Sequence, residues 1–208
     1  MNFESAAQDC GLIAILRGIT LPEVDDVGDA LFNAGIRIVE VPLNSPDPFN
    51  SIERLATRYS GRMVVGAGTE LDPADINLLK AHKGEIAVSP DCNPAVIARA
   101  REAGLVPLPG VFTPTEAFAA IRAGATHLKL FPADAASPAT IKAWKAVLPK
   151  HVKIYAVGGI TPGNMQPWLD AGAAGFGIGS NIYKSGMSAE DVAQAATAFV
   201  AGWKGRKT

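Results

Sequence analysis

The sequence predicts an α/β fold: a compact (β/α)8 TIM barrel that forms a single domain over residues 1–208. Eight short apolar runs alternate with longer amphipathic stretches along the whole chain. Dividing 208 residues by eight gives about 26 per unit, enough for one strand, one helix and two tight loops. No linker interrupts the series, which favours a closed barrel over an open, doubly wound sheet.

The eight predicted strands are continuous apolar runs, mostly rich in β-branched residues, as is typical of parallel strands covered on both faces. Because side chains alternate between the two faces of a strand, Leu128 and Leu130 are expected to face the helices. His127, Lys129 and Phe131 are then expected to face the barrel axis. The predicted strands comprise residues 12–16, 38–41, 63–67, 86–88, 106–108, 127–131, 153–157 and 175–178.

The amphipathic stretches predict helices. Asp72 followed by Pro73 indicates a helix start, and Thr113 with Glu116 three residues later predicts a capping box. Four stretches end at a glycine, which favours the left-handed conformation that closes a helix: Gly35, Gly104, Gly124 and Gly172. The predicted helices comprise residues 21–34, 72–81, 94–103, 113–123, 164–171 and 188–200.

The composition argues against several classes of protein. Hydrophobic residues make up 48% of the chain and charged residues 19%, so the chain can bury a core. The formal net charge of −1 argues against nucleic-acid binding, and no apolar run reaches the ~18 residues of a membrane span. Cys10 and Cys92 are interpreted as free thiols, which with the lack of a signal-peptide pattern predicts a cytoplasmic protein. No His, Asp and Glu cluster has metal-ligand spacing, so neither a metal nor another cofactor is expected.

Lys129 is the sharpest chemical signal in the sequence. It lies between two leucines on a strand predicted to be buried, and desolvating an ammonium group is costly. Burial would lower the pKa of the lysine, and a neutral amine can attack a ketone to form a Schiff base. The alternative is a structural lysine that reaches solvent or pairs with a carboxylate.

Glu40 is the only carboxylate predicted to lie inside the barrel near the carboxyl end of a strand, because Val39 and Val41 would face the helices. Schiff-base chemistry at a ketone needs a group that moves protons at carbon and at oxygen, and a buried carboxylate can do so. A salt bridge of Glu40 with Arg17 or Lys129 is the alternative, and the two roles are compatible.

Two glycine-rich segments follow the seventh and eighth predicted strands. Barrels often bind phosphate with these two loops and the N-terminus of a short extra helix. Residues 181–184 could supply that helix. The predicted phosphate-binding residues are Gly158, Gly159, Gly179 and Ser180.

Five ordered motifs resemble those of one known family over nearly the whole chain. They read LIAILRGI from Leu12, VEVPLNSP from Val39, VGAGT from Val65, HLKLFPA from His127 and AVGGITPGN from Ala156. Together they resemble the short class I aldolases of the KDPG and KHG family that cleave 2-keto-3-deoxy-6-phospho sugar acids. The resemblance implies a trimer of compact barrels that needs no metal.

The resemblance also implies roles for individual residues. Lys129 matches the lysine that forms the Schiff base, and Glu40 matches the general acid/base. Thr69 matches a threonine that contacts the keto acid, and Arg17 is placed where it can face the substrate carboxylate or orient Glu40. The resemblance assigns phosphate binding to the same four residues as the glycine-rich loops do, and we expect Pro90 and Phe131 to bind substrate as well.

Two further positions separate branches of the family. The gluconate-type enzymes typically have Arg where this chain has Asn44, and Thr where it has Val157. Both departures match the galactonate type. The two substrates are epimers at C4, next to the bond that breaks, so Asn44 and Val157 are expected to influence how the C4 hydroxyl is held.

The implied reaction cleaves 2-dehydro-3-deoxy-6-phosphogalactonate to pyruvate and glyceraldehyde 3-phosphate. A gluconate-type or dual-epimer aldolase is the nearest alternative. A phosphate-binding isomerase would share the glycine loops without needing an imine on Lys129. A non-catalytic sugar-phosphate-binding barrel would leave the inward Lys129 and Glu40 unexplained.

Overall fold

The computed structural model of the chain describes residues 1–205 and has an α/β fold, in which helices surround a nearly closed barrel of parallel strands. Within these residues the strands are β1 Leu12–Ile15, β2 Ile38–Pro42, β3 Val64–Gly68, β4 Ile86–Val88, β5 Val106–Leu108, β6 Gly110–Val111, β7 His127–Leu130, β8 Lys153–Val157 and β9 Gly175–Ile178. They are hydrogen-bonded in the order β5-β4-β3-β2-β1-β9-β8-β7-β6.

The fifth predicted strand, residues 106–108, is confirmed as β5, and an additional short strand, β6, follows it. Pro109 separates β5 from β6, and its carbonyl accepts a hydrogen bond from the Lys129 N–H of β7 at 2.9 Å. β5 pairs with β4 and β6 pairs with β7, so the two short strands together occupy one position of the barrel. The predicted eight-fold arrangement is therefore confirmed, although the sheet has nine strands in the part of the chain described.

The helices lie where the sequence predicts six of them, and three more were missed. The described helices are α1 Phe3–Asp9, α2 Val24–Ala34, α3 Pro48–Arg58, α4 Asp75–Ala81, α5 Pro94–Glu102, α6 Pro114–Arg122, α7 Pro138–Lys145, α8 Met165–Asp170 and α9 Ala189–Lys204. The missed helices are α1, α3 and α7. None of the described helices combines the length and the apolar character needed to cross a membrane.

Local signals at helix ends are confirmed in one case and corrected in another. Thr113 and Glu116 form the predicted capping box at the start of α6, an arrangement that stabilises a helix by about 1 kcal/mol. The predicted helix start at Asp72 is wrong, because α4 begins at Asp75. The Asp72 carboxylate instead accepts a hydrogen bond from the Ala74 N–H at 2.8 Å, which stabilises a turn before the helix.

Two apolar layers follow from the alternation of side chains along the strands. Leu128 and Leu130, like Val39 and Val41, pack in the outer layer between strands and helices. The inner layer fills the lower part of the barrel and includes Ile13, Ile38, Val64, Ile86 and Tyr155. The predicted facing of β2 and β7 is therefore confirmed.

Helix α1 closes the lower end of the barrel with Phe3. The ring of His127 lies 4.8 Å from the ring of Phe3 between centroids, and its Nε2 lies 3.0 Å from the Glu4 carboxylate. These contacts give the inward-facing His127 a structural role at the lower end of the barrel.

Candidate active site

The carboxyl ends of the strands surround a cavity of about 420 Å³. Ten of the twelve site residues predicted from the sequence line it. Glu40 is instead buried within the barrel, and Asn44 contacts the site through Arg17. The ten are Arg17, Thr69, Pro90, Lys129, Phe131, Val157, Gly158, Gly159, Gly179 and Ser180.

Lys129 reaches this cavity from near the carboxyl end of β7, and only 6% of the residue is exposed. Its Nζ lies 4.7 Å from the centroid of the Phe131 ring, which places the amine over an aromatic face. Burial lowers the pKa of Lys129 from its ordinary value, and the positive charge of Arg17 acts in the same direction, whereas the negative charge of Glu40 opposes both. The environment thus favours the neutral, nucleophilic amine.

Glu40 is 1% exposed, and its Oε2 has no hydrogen-bond partner among the described residues. Burial raises the pKa of Glu40 to about 7, and the charges of Lys129 and Arg17 only partly offset that effect. Neither alternative ion pair, with Arg17 or with Lys129, is formed in the part of the chain described. A carboxyl group whose pKa is near neutrality can both accept and donate a proton under physiological conditions.

Gly68 at the end of β3 makes room for this carboxyl group. A Cβ added at Gly68 would lie 1.7 Å from Glu40 Oε2 and 2.2 Å from its Cδ. A methyl group and a carboxylate cannot share that space, so any side chain at position 68 must displace Glu40.

Replacing Gly68 with Ala is therefore expected to lower kcat for the predicted aldol cleavage at least about tenfold, because it displaces Glu40. It should also lower the free energy of unfolding by about 1–3 kcal/mol, the usual effect of overpacking a core. Steady-state kinetics and thermal unfolding measure the two effects. Gly163→Ala is the matched control, because nothing lies within 4 Å of a Cβ at that position. Unchanged kinetics in the Gly68 variant would show that the position of Glu40 does not matter.

Arg17 is held at the rim of the cavity by two side chains. Its Nη1 donates to Asn44 Oδ1 at 2.7 Å, and its Nη2 donates to Thr69 Oγ1 at 3.3 Å. Thr69 adopts φ = 56°, which is unfavourable for a β-branched residue and marks a constrained backbone. Arg17 therefore lines the cavity through contacts with Asn44 and Thr69, and no hydrogen bond joins it to Glu40 among the described residues.

The two glycine-rich loops lie side by side and are joined by hydrogen bonds. Asn181 Nδ2 donates to the Ile160 carbonyl at 2.7 Å, which links the loop after β9 to the loop after β8. Gly158 and Gly159 have φ values of 116° and 67°, which only glycine adopts without strain. A Cβ at Gly179 would meet no atom within 4 Å, so the backbone at this position borders open space.

The predicted short helix over residues 181–184 is wrong. The Gly179 carbonyl accepts hydrogen bonds from Ile182 and Tyr183, which makes a single turn. The chain then continues as an irregular segment, because the buried Ile182 and Tyr183 anchor it against the core. Any phosphate affinity must therefore come from backbone amides and side chains and not from the N-terminus of a helix.

Among the other residues that line the cavity, Ile15 was not indicated by anything in the sequence. The rest lie in the two predicted glycine-rich segments or in the predicted helix over residues 181–184, although no role was assigned to their side chains: Ile160, Gly177, Ile178, Asn181, Tyr183 and Lys184. No group of three or more His, Cys, Asp or Glu side chains suited to a metal ion occurs in residues 1–205.

Comparison with known proteins identifies the family. The KDPG and KHG aldolase family model matches residues 3–198. The 2-dehydro-3-deoxy-6-phosphogalactonate aldolase of Escherichia coli strain K12 is 46% identical over 193 residues, 93% of this chain and 94% of that protein. The solved structure of native KDPGal has a TM-score of 0.91 at 46% identity and covers 93% of this chain and 94% of its own.

A third relative is more distant. The KDPG aldolase of Legionella pneumophila, with pyruvate captured at low pH as a covalent carbinolamine intermediate, is 25% identical, with a TM-score of 0.84 and coverage of 94% of this chain and 96% of its own. The family predicted from the motifs is thus confirmed: the chain belongs to the KDPG and KHG aldolases and is a carbon–carbon lyase.

Proposed function

We propose that this aldolase cleaves 2-dehydro-3-deoxy-6-phosphogalactonate to pyruvate and glyceraldehyde 3-phosphate through a Schiff base on Lys129. The observation that carries the proposal is the unpaired, buried Lys129 amine in a cavity that also contains two open glycine loops. A structural lysine in this position would need a carboxylate partner, and no ion pair to Lys129 forms within residues 1–205. The distant relative that captures pyruvate as a carbinolamine supports the same chemistry.

The proposed reaction begins when Lys129 Nζ attacks the C2 ketone of the substrate. Loss of water from the resulting carbinolamine gives a positively charged iminium, which withdraws electrons from the C3–C4 bond. Glu40, directly or through a water molecule, accepts the proton of the C4 hydroxyl while this bond breaks. Glyceraldehyde 3-phosphate leaves, C3 of the enamine takes up a proton, and water releases pyruvate from Lys129.

The residues around Lys129 are proposed to hold the two ends of the substrate. Arg17 and Thr69, which are hydrogen-bonded to each other, are suited to the keto-acid carboxylate. Pro90 and Phe131 provide apolar contact in the same cavity. Phosphate oxygens are proposed to accept hydrogen bonds from residues of the two loops: Gly158, Gly159, Gly179 and Ser180.

The galactonate epimer is proposed as the preferred substrate because of Asn44 and Val157. Asn44 orients Arg17 through the 2.7 Å hydrogen bond, where the gluconate type typically carries an arginine. Val157 lines the same cavity as Lys129 and has methyl groups where the gluconate type typically has a hydroxyl. The name of the Escherichia coli relative supports this choice.

A coupled assay for pyruvate release from both epimeric substrates, with EDTA present, tests the function. We expect turnover of both to be insensitive to EDTA and kcat/KM to be higher for the galactonate epimer. A higher kcat/KM for the gluconate epimer would favour the gluconate-type alternative. Binding without any pyruvate release would support the non-catalytic alternative, and loss of activity with EDTA would contradict a metal-free mechanism.

Changing Val157 to Thr is expected to shift the preference toward the gluconate epimer by about 2- to 10-fold, the effect of one neutral hydrogen bond. The ratio of kcat/KM for the two epimers measures the shift. Val157→Ala is the control, since it alters volume without adding a hydroxyl group. The proposed role of Val157 fails if both variants change the ratio equally.

The assembly and location are further parts of the proposal. We propose that the chain acts as a single domain in a cytoplasmic homotrimer and that its partners are small molecules, with no nucleic acid or membrane involved. The family resemblance supports the trimer, and analytical ultracentrifugation of the purified protein tests it.

A further inference from the structure

Lys184 lines the same cavity as Lys129 and lies five residues beyond Gly179. It is the last residue of the segment that was predicted to form a short phosphate-binding helix, but no role was assigned to its side chain. Its side chain is exposed, and it forms no ion pair in the part of the chain that the structure describes. Lys184 is therefore a cation at the substrate cavity without an assigned task.

The backbone on the N-terminal side of Lys184 is firmly anchored. Ile182 and Tyr183 are buried, and their N–H groups donate to the Gly179 carbonyl at 2.9 and 3.1 Å. Asn181 is tied in turn to Ile160 in the neighbouring loop. These contacts hold the segment from Gly179 to the backbone of Lys184 in one conformation.

The backbone on the C-terminal side of Lys184 is anchored as well. Ser185 Oγ donates to the Gly18 carbonyl at 3.2 Å, which joins this segment to the loop after β1. The Met187 N–H donates to the Lys184 carbonyl at 2.9 Å and closes a turn. A lysine held between two anchored neighbours, and itself facing the cavity, can place its ammonium group there at a low entropic cost.

The charges around the cavity show what such an ammonium group can bind. No Asp or Glu is among the described residues that line the cavity, whereas Arg17, Lys129 and Lys184 are. Arg17 is hydrogen-bonded to Asn44 and Thr69, and Lys129 is proposed to react with the substrate ketone. Lys184 is the remaining cation, and it belongs to the same segment as Gly179 and Ser180. Asp134 packs against Gly158 and Gly159 but does not line the cavity.

We propose that the Lys184 ammonium group binds the phosphoryl group of the substrate alongside the two glycine loops. The proposal rests on the proposed function and deepens it. Backbone amides offer hydrogen bonds without net charge, and a phosphate ester carries nearly two negative charges at neutral pH. Lysine supplies a compact point charge that does not require one fixed geometry. Lys184 would then select for substrates that carry a phosphate at the end remote from the ketone.

Changing Lys184 to Ala tests the proposal with steady-state cleavage kinetics. We expect KM for the phosphorylated substrate to rise about 5- to 30-fold with kcat nearly unchanged, because the contact is present in both ground and transition states and is partly screened by solvent. Lys184→Arg should restore most of the affinity. Cleavage of the unphosphorylated analogue should have the same kcat/KM in wild type and variant. Lys142→Ala, at an exposed position of α7 outside the cavity, is the matched control and should behave as wild type.

Exchange of the pyruvate methyl protons in D2O separates this inference from the proposed function. The exchange needs the Schiff base but no phosphate, so the Lys184 variant should exchange at the wild-type rate. A wild-type enzyme that neither exchanges nor cleaves would overturn the proposed function. A wild-type enzyme that does both, with an unchanged KM in the Lys184→Ala variant or an equal loss on the unphosphorylated analogue, would overturn the role of Lys184 alone.

Discussion

Replacing Lys129 with Ala is expected to lower kcat/KM for cleavage by at least on the order of 10⁴-fold, because it removes the covalent route and the iminium that accepts electrons. Lys129→Met should be equally inactive, since it keeps an unbranched side chain of similar size and lacks only the amine. Both variants should keep the barrel, because the residues of β7 that pack against the helices, Leu128 and Leu130, are unchanged. Pyruvate release in the coupled assay and circular dichroism measure the two properties.

Trapping with borohydride identifies the amine directly. Incubating the wild-type enzyme with pyruvate and borohydride should reduce the imine and attach one pyruvate-derived group to Lys129, which peptide mass spectrometry locates. Lys153 at the opposite end of the barrel provides the control, because it is exposed and pairs in register with His127 at the lower end of β7. Lys153→Ala should still be trapped at Lys129. An adduct at another lysine, or turnover that survives the Lys129 substitutions, would refute the Schiff-base assignment.

The barrel could be predicted because its signals are local. Each strand is an apolar run, and the alternation of side chains placed Lys129 and Glu40 on the inner face without knowledge of the strand order. The structure confirms this facing, with Leu128 and Val39 in the outer layer and Ile38 in the inner one. The two-residue period of a strand is sufficient to predict which face a side chain occupies, because that face follows from the neighbouring residues in the chain.

Other features depend on contacts between distant parts of the chain and could not be predicted. The division between β5 and β6 is set by hydrogen bonds to β4 and β7 on either side of Pro109. The turn after Gly179 replaces a predicted helix because Ile182 and Tyr183 are buried against the core. Helix α1 was missed because its apolar face is small, and its role in closing the barrel appears only when Phe3 meets His127 and Tyr155.

The candidate site also has features that local patterns predict and features that depend on contacts between distant residues. The presence of Arg17, Thr69 and Lys129 at strand ends could be inferred from the chain, since parallel strands bring their carboxyl ends together. The hydrogen bonds of Arg17 to Asn44 and Thr69 could not, because they join residues 27 and 52 positions apart. The need for glycine at position 68 likewise appears only once the Glu40 carboxyl group is seen to lie over it.

The pH dependence of cleavage should report the ionisation of Glu40. Only its carboxylate form can accept the C4 hydroxyl proton, and burial raises the pKa of Glu40 to about 7. Below this pH the group is protonated and cannot act as the base, so kcat/KM should rise as the pH increases through about 7. The pKa of Lys129 is lowered by burial, so the fraction of neutral amine also rises with pH and acts in the same direction. An acidic limb near the ordinary carboxyl pKa would contradict the proposed role of Glu40.

Glu40→Gln is expected to lower kcat by about 10²- to 10⁴-fold, the usual contribution of general acid/base catalysis, and to remove the inflection near pH 7. Borohydride should still trap pyruvate on Lys129 in this variant, because the amine is retained. Glu70 provides a stringent control: it is also buried, its pKa is also raised to about 7, and it does not line the cavity. Glu70→Gln should therefore keep the inflection. Burial raises the pKa of both carboxyl groups, so their positions relative to Lys129 are what distinguish them. If the Glu70 variant loses the inflection near pH 7 and the Glu40 variant keeps it, the titrating group is not the proposed base.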